Sequence, residues 1–212
     1  PGDMLIVNDP YLGGTHLPDV TLIAPVYLDA ACIVYVANRA HHADIGADTP
    51  GSMPVSRHLD EEGLLIPPSH LLRAGQQVPE LVERILQATA NPLQMEGDLA
   101  AQISANLTGM QRLVELAGSR GDAGYAQGLQ AMNDYAARLA REALQSIPDG
   151  CYHYRDFMDD DGMGRQDVPL QVEVRDHMET DNAIDGQVIA GQQQPRIGFD
   201  LGLEERPPAK AV

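Results

Sequence analysis

Two apolar runs rich in β-branched residues constrain the fold of this chain more than any other feature of its sequence. They cover residues 20–27 and 33–38 and are separated by the short segment Leu28-Asp29-Ala30-Ala31. Runs of this length around a short connection predict an antiparallel β-hairpin. Because the two ends of such a hairpin lie side by side, residues before its first strand are predicted to meet residues after its second strand.

Potential metal ligands flank this hairpin on both sides. They are, in chain order, His16, Asp19, His41, His42 and Asp44. Imidazole and carboxylate groups suit zinc, iron(II) or manganese, and a site with three protein ligands leaves coordination positions open. The alternative is that the aspartate caps a turn and the histidines hydrogen-bond to backbone carbonyls. From the residues alone, a metal site and a purely structural role both stay open.

Adjacent residues that follow a strand point to opposite sides, so His41 and His42 are not expected to act alike. One of them is predicted to be a ligand, and the other a supporting group, a proton shuttle or a core histidine. Asp44 is predicted either to orient a ligating imidazole or to serve as a turn or cap residue. Asp9, which precedes Pro10, is a further ligand or the first residue of an Asx turn, and we favour the turn.

Composition limits the partners of this chain. Its 212 residues and 43% hydrophobic content allow a substantial core, in one domain or in one domain with an appended piece. The net charge of −17 disfavours nucleic acid and anionic membranes and suits a divalent cation or a basic protein surface. No apolar run reaches the roughly 20 residues of a membrane helix and no signal peptide is visible, so a cytoplasmic protein is expected. The start at Pro1, without Met, indicates a cut through a larger protein.

The sequence lacks the motifs of three common kinds of functional site: paired cysteines, a phosphate-binding loop and an EF-hand. Cys32 and Cys151 have no close spacing, so they are predicted to be reduced, buried thiols. The pair Gly13-Gly14 lacks the Lys-Ser/Thr and the helix of a phosphate loop, and nothing indicates an ATP site. The acidic segment Asp159-Asp160-Asp161 lacks the ligand pattern of an EF-hand and is predicted to be a solvated turn.

The period of the apolar residues changes after Gly75. Pro79 opens a predicted helix that Asn91-Pro92 interrupts. Apolar residues then recur every three or four positions over residues 99–117 and 129–144, which predicts an antiparallel helical hairpin.

Alternation of apolar and polar residues returns after the helices. It predicts a second β-hairpin from residues 151–157 and 168–174, followed by an irregular tail. The predicted fold class is therefore α+β, with an N-terminal hairpin and loop region that carries the metal site, a helical hairpin in the middle and a second β-hairpin. We divide the chain into a core over residues 1–175 and a divergent tail over residues 176–212, for which disorder is one interpretation.

Three sequence segments carry a resemblance to a known family. They read GDMLIVNDPYLGGTHLPDVTLIAPV, HHADIGADTPGSMP and LDEEGLLIPP, and looser agreement continues to IPDGCYHYRDFMDDDG. Over residues 2–175 the chain resembles the hydantoinase B/oxoprolinase family. That family includes the B subunit of ATP-dependent hydantoinases and lactamases, the C-terminal part of 5-oxoprolinase and the alpha subunit of acetone-type carboxylases.

The resemblance implies a set of site residues. In such proteins two His and two Asp hold one divalent metal ion, which is zinc, iron or manganese here. Carried over by motif, the ligands in this chain are His16, Asp19 and His41, and the remaining Asp is expected upstream of the matched segment. With His41 as the ligand, the resemblance makes His42 the expected proton carrier in catalysis. We also predict Asp44 as a catalytic residue, through its predicted role in orienting an imidazole.

The resemblance further implies a division of labour between subunits. An A-type partner subunit binds ATP and phosphorylates a cyclic amide, such as a hydantoin, 5-oxoproline or a lactam, or a ketone. The metal-dependent subunit then completes hydrolysis, or in the carboxylases directs the activated species to CO2. This chain is accordingly expected to be part of a hydrolase within a hetero-oligomer that uses ATP only through its partner. The alternatives are an acetone-type carboxylase subunit and a truncated, non-catalytic interaction piece.

Overall fold

The computed structural model describes residues 1–49, 51, 54–177, 183–190 and 197–200. The chain forms two compact units, Pro1–Tyr125 and Ala126–Val212. The first unit contains both of the segments that carry the predicted ligands.

The first unit is built on five antiparallel strands. They are β1 (Met4–Val7), β2 (Asp19–Leu28), β3 (Ala31–His41), β4 (Ser69–Arg73) and β5 (Gln76–Gln77). Their spatial order is β3-β2-β1-β4-β5, so the hairpin β2–β3 forms one edge of the sheet. A short 3-10 helix, Leu59–Glu62, precedes β4.

The predicted N-terminal hairpin is confirmed, and its strands are longer than the apolar runs indicated. Strand β2 begins at Asp19 and β3 ends at His41, and these two residues are directly opposite each other in the register. The connection between the strands is tight, and Asp29 within it has a φ of 53°, a conformation that Asp tolerates better than most residues. The register therefore fixes the pairing of a predicted ligand on each strand.

Helices α1 (Pro79–Ala88) and α2 (Pro92–Leu144) follow the sheet. The predicted interruption at Asn91-Pro92 is confirmed, and Asn91 caps α2 by accepting a hydrogen bond from the Gln94 amide at 3.3 Å. The predicted division of the second helical region is also confirmed, because Gly121 has non-helical angles (φ 69°, ψ 158°). Glycine adopts this backbone conformation without the steric cost that a Cβ imposes.

The core of the first unit lies between the sheet and the helices. Alternate residues of β2 point inward and are fully buried, whereas their neighbours are more exposed. The buried cluster comprises Met4, Ile6, Leu17, Val20, Leu22, Ala24, Ile45, Ile66, Leu71, Leu72, Ile85, Met95 and Leu99. Burial of each large side chain in this cluster contributes about 1.5–3 kcal/mol.

The second unit contains an antiparallel meander of four strands. They are β6 (Gly150–Asp160), β7 (Gln166–His177), β8 (Ala183–Ala190) and β9 (Ile197–Asp200). The predicted second hairpin is confirmed as β6–β7. Its turn is held by Asp161, whose Oδ1 accepts hydrogen bonds from the Met163 and Arg165 amides at 2.8 and 3.0 Å.

Strands β8 and β9 lie within the tail that the sequence pattern predicted to be irregular. Strand β8 pairs with β7 along its whole length, and β9 pairs with β8. Gly186 interrupts the apolar alternation of β8, so its strand conformation depends on the neighbouring strand rather than on its own pattern. Residues 178–182, 191–196 and 201–212 of the predicted tail lie outside the described residues.

The two cysteines are free thiols, but they are exposed rather than buried as predicted. Cys32 lies on β3 and Cys151 on β6, and each of these strands forms an edge of its sheet. Among the described residues, no helix has the length and apolar character needed to cross a membrane.

Candidate metal centre

The loop between β1 and β2 is fastened by Asn8, which is fully buried. Its amide nitrogen donates to the Leu17 carbonyl at 2.8 Å and to the Leu64 carbonyl at 2.9 Å. Its side-chain oxygen accepts a hydrogen bond from the Ile66 amide at 2.7 Å. A single side chain therefore ties the loop both to its own end and to the segment before β4.

Gly14 lets this loop fold back tightly on itself. A Cβ at this position would lie 2.3 Å from the backbone oxygen of Asn8, so no larger residue fits without a backbone shift. The Gly14 amide donates to the Asp9 carbonyl at 2.8 Å. The Asp9 side chain accepts a hydrogen bond from the Tyr11 amide at 2.9 Å, which confirms the predicted Asx turn.

His16, Asp19 and His41 form one cluster where this loop enters β2. His16 Nδ1 lies 3.2 Å from Asp19 Oδ2, and His41 Nδ1 lies 3.1 Å from Asp19 Oδ1. The two imidazole rings have centroids 5.1 Å apart. One potential ligand atom from each of the three residues lies within 4.8 Å of the other two. The structure thus brings together the three residues that the sequence predicted as metal ligands.

Thr15 supports the carboxylate at the centre of this cluster. Its hydroxyl donates to Asp19 Oδ2 at 2.6 Å. This hydrogen bond lowers the pKa of Asp19 below its usual value, as do the hydrogen bond from His41 and the positive charge that His16 and His41 carry when protonated, while burial opposes the shift. Asp19 is therefore held in the anionic form that binds cations.

Arg39 holds the glycine loop against the hairpin. Its Nε donates to the Thr21 hydroxyl at 2.8 Å, and one terminal nitrogen donates to the Gly13 carbonyl at 3.0 Å. Thr21 and Arg39 are directly opposite each other on β2 and β3. The sequence reasoning missed Thr15 and Arg39, although the strand register implied by the hairpin would have placed Arg39 beside Thr21.

The donor set and its spacing fit a divalent metal ion. Two imidazoles and a carboxylate are ligands that zinc, iron(II) and manganese accept. Bonds of about 2.0–2.2 Å place neighbouring ligand atoms roughly 3–3.5 Å apart. The two imidazoles approach different oxygens of Asp19, at 3.2 and 3.1 Å, and both separations lie in that range. The side chains of His16 and His41 are 39% and 52% exposed, so the cluster is open to further ligands.

His42 lies on the opposite side of the strand end from His41, as predicted, and is buried with 2% exposure. Its Nε2 is 2.8 Å from Gln102 Oε1, and its backbone amide donates to the Pro18 carbonyl at 2.9 Å. Within the described part of the chain, its Nδ1 has no hydrogen-bond partner. The structure therefore places His41, and not His42, in the cluster.

A buried polar network connects His42 to helix α2. Gln102 Nε2 donates to the Val20 carbonyl at 3.0 Å and to Asn38 Oδ1 at 2.8 Å, so Gln102 Oε1 is the acceptor for His42 Nε2–H. Asn106 extends the network by accepting a hydrogen bond from Asn38 and donating to the Leu22 carbonyl. The sequence reasoning missed this network, because it treated the buried face of α2 as purely apolar.

Asp44 has the turn and cap role that was one of its two predicted roles. Its Oδ1 accepts a hydrogen bond from the Gly46 amide, and its Oδ2 accepts one from the Ala90 amide, both at 2.7 Å. Asp44 thereby joins the segment after β3 to the connection between α1 and α2. The described contacts of this carboxylate include no imidazole, so they give no support to a role in orienting a ligand.

Comparison with known proteins agrees with this fold. The sequence model of the hydantoinase B/oxoprolinase family matches residues 1–188. The 5-oxoprolinase of Dictyostelium discoideum is 36% identical over 152 residues, which are 71% of this chain and 12% of that protein. The caprolactamase subunit beta of Pseudomonas jessenii is 31% identical over 177 residues, which are 82% of this chain and 30% of that protein.

Two solved structures share the fold. The crystal structure of ATP-dependent caprolactamase from Pseudomonas jessenii matches with a TM-score of 0.78 and 28% identity, over 92% of this chain and 33% of that one. A nucleotide-free acetone carboxylase structure matches with a TM-score of 0.66 and 20% identity, over 89% of this chain and 25% of that one, and shows the fold alone.

In each of these comparisons the chain spans a third or less of the matched protein. The family match covers both segments that carry the ligand cluster, and it continues past residue 175 into β8. The chain belongs to the hydantoinase B/oxoprolinase family.

Proposed function

We propose that this chain carries the metal-binding part of a subunit that completes the ATP-dependent hydrolysis of a cyclic amide. The observation that carries the proposal is the cluster of His16, Asp19 and His41, in which the hairpin register pairs Asp19 with His41 and the preceding loop adds His16. Relatives named 5-oxoprolinase and caprolactamase point to cyclic amides of the 5-oxoproline, lactam or hydantoin class.

In this proposal His16, Asp19 and His41 hold one zinc, iron or manganese ion. Such an ion supplies Lewis-acid polarisation of a substrate oxygen when bound. Thr15 keeps the Asp19 carboxylate anionic, and the bonds of Asn8 and Arg39 hold the loop in place before the ion arrives. A site organised in advance loses less free energy in ordering its ligands, so these loop contacts favour binding.

His42 is not a metal ligand in this proposal. The proton-carrying role of His42 stays a prediction. Its ring is buried and its Nε2–H donates to Gln102, and neither observation favours that role. Its contacts favour a supporting role, because His42 directly follows His41 and anchors the end of β3 to Gln102 on α2 and to the Pro18 carbonyl. Asp44 anchors the next part of the same segment.

The partner in this proposal is an A-type subunit that binds ATP and phosphorylates the substrate. The name of the relative caprolactamase subunit beta supports a hetero-oligomer. We expect ATP to enter the reaction only through that subunit and the complex to be cytoplasmic. The acetone-type carboxylase stays an alternative, because the likeness to acetone carboxylase concerns the fold alone and does not separate the two reactions. A non-catalytic interaction piece would bind no metal.

The proposal is tested in the full-length subunit assembled with its A-type partner. His16→Ala and Asp19→Asn should each remove the metal ion bound at the cluster and the turnover of the cyclic amide. His70→Ala is a matched control, since His70 is also 39% exposed and lies 3.9 Å from a carboxylate, that of Asp3, outside the cluster. Turnover that survives both cluster substitutions, or metal that stays bound at the cluster in these variants, would overturn the assignment. If the two variants lose the metal ion and the wild type shows CO2-dependent activity, the carboxylase alternative would be favoured.

A further inference from the structure

A second group of potential ligands lies on the sheet of the second unit. Cys151 and His153 are two residues apart on β6, so their side chains project from the same face. Glu173 lies on β7 directly opposite His153 in the register. The pairing of β6 with β7 therefore gathers a thiol, an imidazole and a carboxylate that are distant in sequence.

The distances within this group are short. Cys151 Sγ lies 3.4 Å from His153 Nε2, and His153 Nδ1 lies 3.7 Å from Glu173 Oε2. One potential ligand atom from each residue lies within 4.8 Å of the other two, including the sulfur and a carboxylate oxygen. The two shortest distances involve different nitrogens of the His153 ring, and the 4.8 Å limit holds for one atom of each residue, so the three groups lie close enough to share an ion.

This compact arrangement distinguishes chelation from a catalytic relay. In a relay of thiol, imidazole and carboxylate, the ring lies between the other two groups and keeps them apart. Here the sulfur and a carboxylate oxygen lie within 4.8 Å of each other. That proximity favours a shared cation over proton transfer through the ring.

We propose that Cys151, His153 and Glu173 form a second metal site, which binds a thiophilic divalent cation of the Zn²⁺ type. Zinc bonds of about 2.3 Å to sulfur and about 2.0–2.2 Å to nitrogen and oxygen place ligand atoms roughly 3.3–3.7 Å apart in a tetrahedron. The Sγ–Nε2 distance of 3.4 Å already meets this requirement. The 4.8 Å limit on the remaining separations exceeds this range by about 1 Å, so metal binding requires a small rotation of these exposed side chains.

The surroundings of this site suit a cation with an open coordination position. Cys151 is exposed and the side chain of His153 is 66% exposed, so an ion has direct access. A surface cavity of about 250 Å³ is lined by His153 and Glu173 together with Arg155 and Gln171, and it leaves room for a water molecule beside two of the three groups. Thiolate ligation selects zinc over magnesium or calcium, which prefer oxygen.

The two candidate metal sites differ in whether they contain a sulfur ligand, and this difference can be detected by spectroscopy. The cluster of His16, Asp19 and His41 contains no sulfur, whereas the second site contains the Cys151 thiolate. Cobalt(II) substitutes for zinc and shows thiolate-to-metal charge-transfer absorption only when sulfur is bound. This absorption therefore reports on the second site whether or not the first site binds metal.

The test titrates the complete chain with cobalt(II) under reducing conditions. The wild type should develop the charge-transfer band, and zinc should displace it. Cys151→Ser should abolish the band, and His153→Ala should weaken cobalt binding at least about tenfold. Cys32→Ser is the matched control because Cys32 is the other exposed free thiol of the chain, and it should keep the band. Circular dichroism checks that each variant is folded.

Two results would overturn this second site. One is a folded wild-type chain that shows no thiolate band at saturating cobalt. The other is a band that persists in Cys151→Ser, or that disappears in Cys32→Ser while Cys151 is intact. His16→Ala should leave the band unchanged, so failure of the second site and failure of the first are separate outcomes.

Discussion

Asp19 and His41 face each other across the register of β2 and β3, and His41 Nδ1 lies 3.1 Å from Asp19 Oδ1. His16 reaches the other oxygen of the same carboxylate from the preceding loop. The hairpin β2–β3 thus fixes Asp19 and His41 by its strand pairing. His16 lies in the loop before β2, and the position of that loop depends on the loop's own hydrogen bonds.

Thr15→Val should raise the pKa of Asp19 towards its usual value, because the strongest hydrogen bond that stabilises the anion is removed. A carboxyl group whose pKa is lowered by folding stabilises the folded state when the pH is above its ordinary pKa of about 3.8. This stabilisation is lost as the pH falls through the lower pKa of the folded state. NMR titration of the Asp19 carboxyl measures the shift. Thr108→Val, which removes a hydroxyl from exposed helix surface, should leave that titration unchanged.

Asn8→Ala should lower the free energy of unfolding by about 3 kcal/mol, since it leaves two carbonyls and one amide without their partner in a buried setting. Urea denaturation measures the change. Asn133→Ala, on the exposed surface of α2, should cost less than about 0.5 kcal/mol. Equal effects of the two substitutions would contradict the role given to Asn8.

Gly14→Ala should destabilise the loop and weaken metal binding, because its Cβ would lie 2.3 Å from the backbone oxygen of Asn8. Gly128→Ala makes the same chemical change inside α2, where a Cβ meets nothing within 4 Å. That variant should gain about 0.5–1 kcal/mol from helix propensity. Thermal unfolding and zinc calorimetry of the pair should therefore give opposite signs for stability, and two gains in stability would contradict the described loop.

Gln102→Leu should weaken zinc binding about tenfold without touching a ligand, since it removes the partner that anchors His42 beneath the end of β3. It should also destabilise the chain by about 2 kcal/mol, because the Val20 carbonyl and Asn38 lose a buried hydrogen bond. Gln130→Leu on the exposed side of α2 is the control. An unchanged zinc affinity in Gln102→Leu would limit this network to a purely structural role.

Sequence reasoning located the ligand cluster because the information was local. The β-branched runs define the hairpin, and the hairpin by itself brings the residues before Asp19 and around His41 together. The opposite orientation of His41 and His42 followed from the geometry of a strand. The Asx turn at Asp9 likewise depends only on neighbouring residues.

Other features depend on contacts between residues that are far apart in sequence. The bond between His42 and Gln102 spans 60 positions, and no periodicity in either segment indicates it. Strand β8 owes its conformation to pairing with β7, which its own composition does not reveal. The exposure of Cys32 follows from the place of β3 at the sheet edge, which is a property of the assembled sheet.

The central claim is that His16, Asp19 and His41 hold one metal ion. An anomalous difference map recorded at the zinc edge, from crystals of the full-length subunit grown with zinc, tests it most directly. We predict a peak within about 2.3 Å of a nitrogen of each histidine and of an Asp19 oxygen. A map with zinc bound elsewhere in the crystal and no peak among these three residues would contradict the claim.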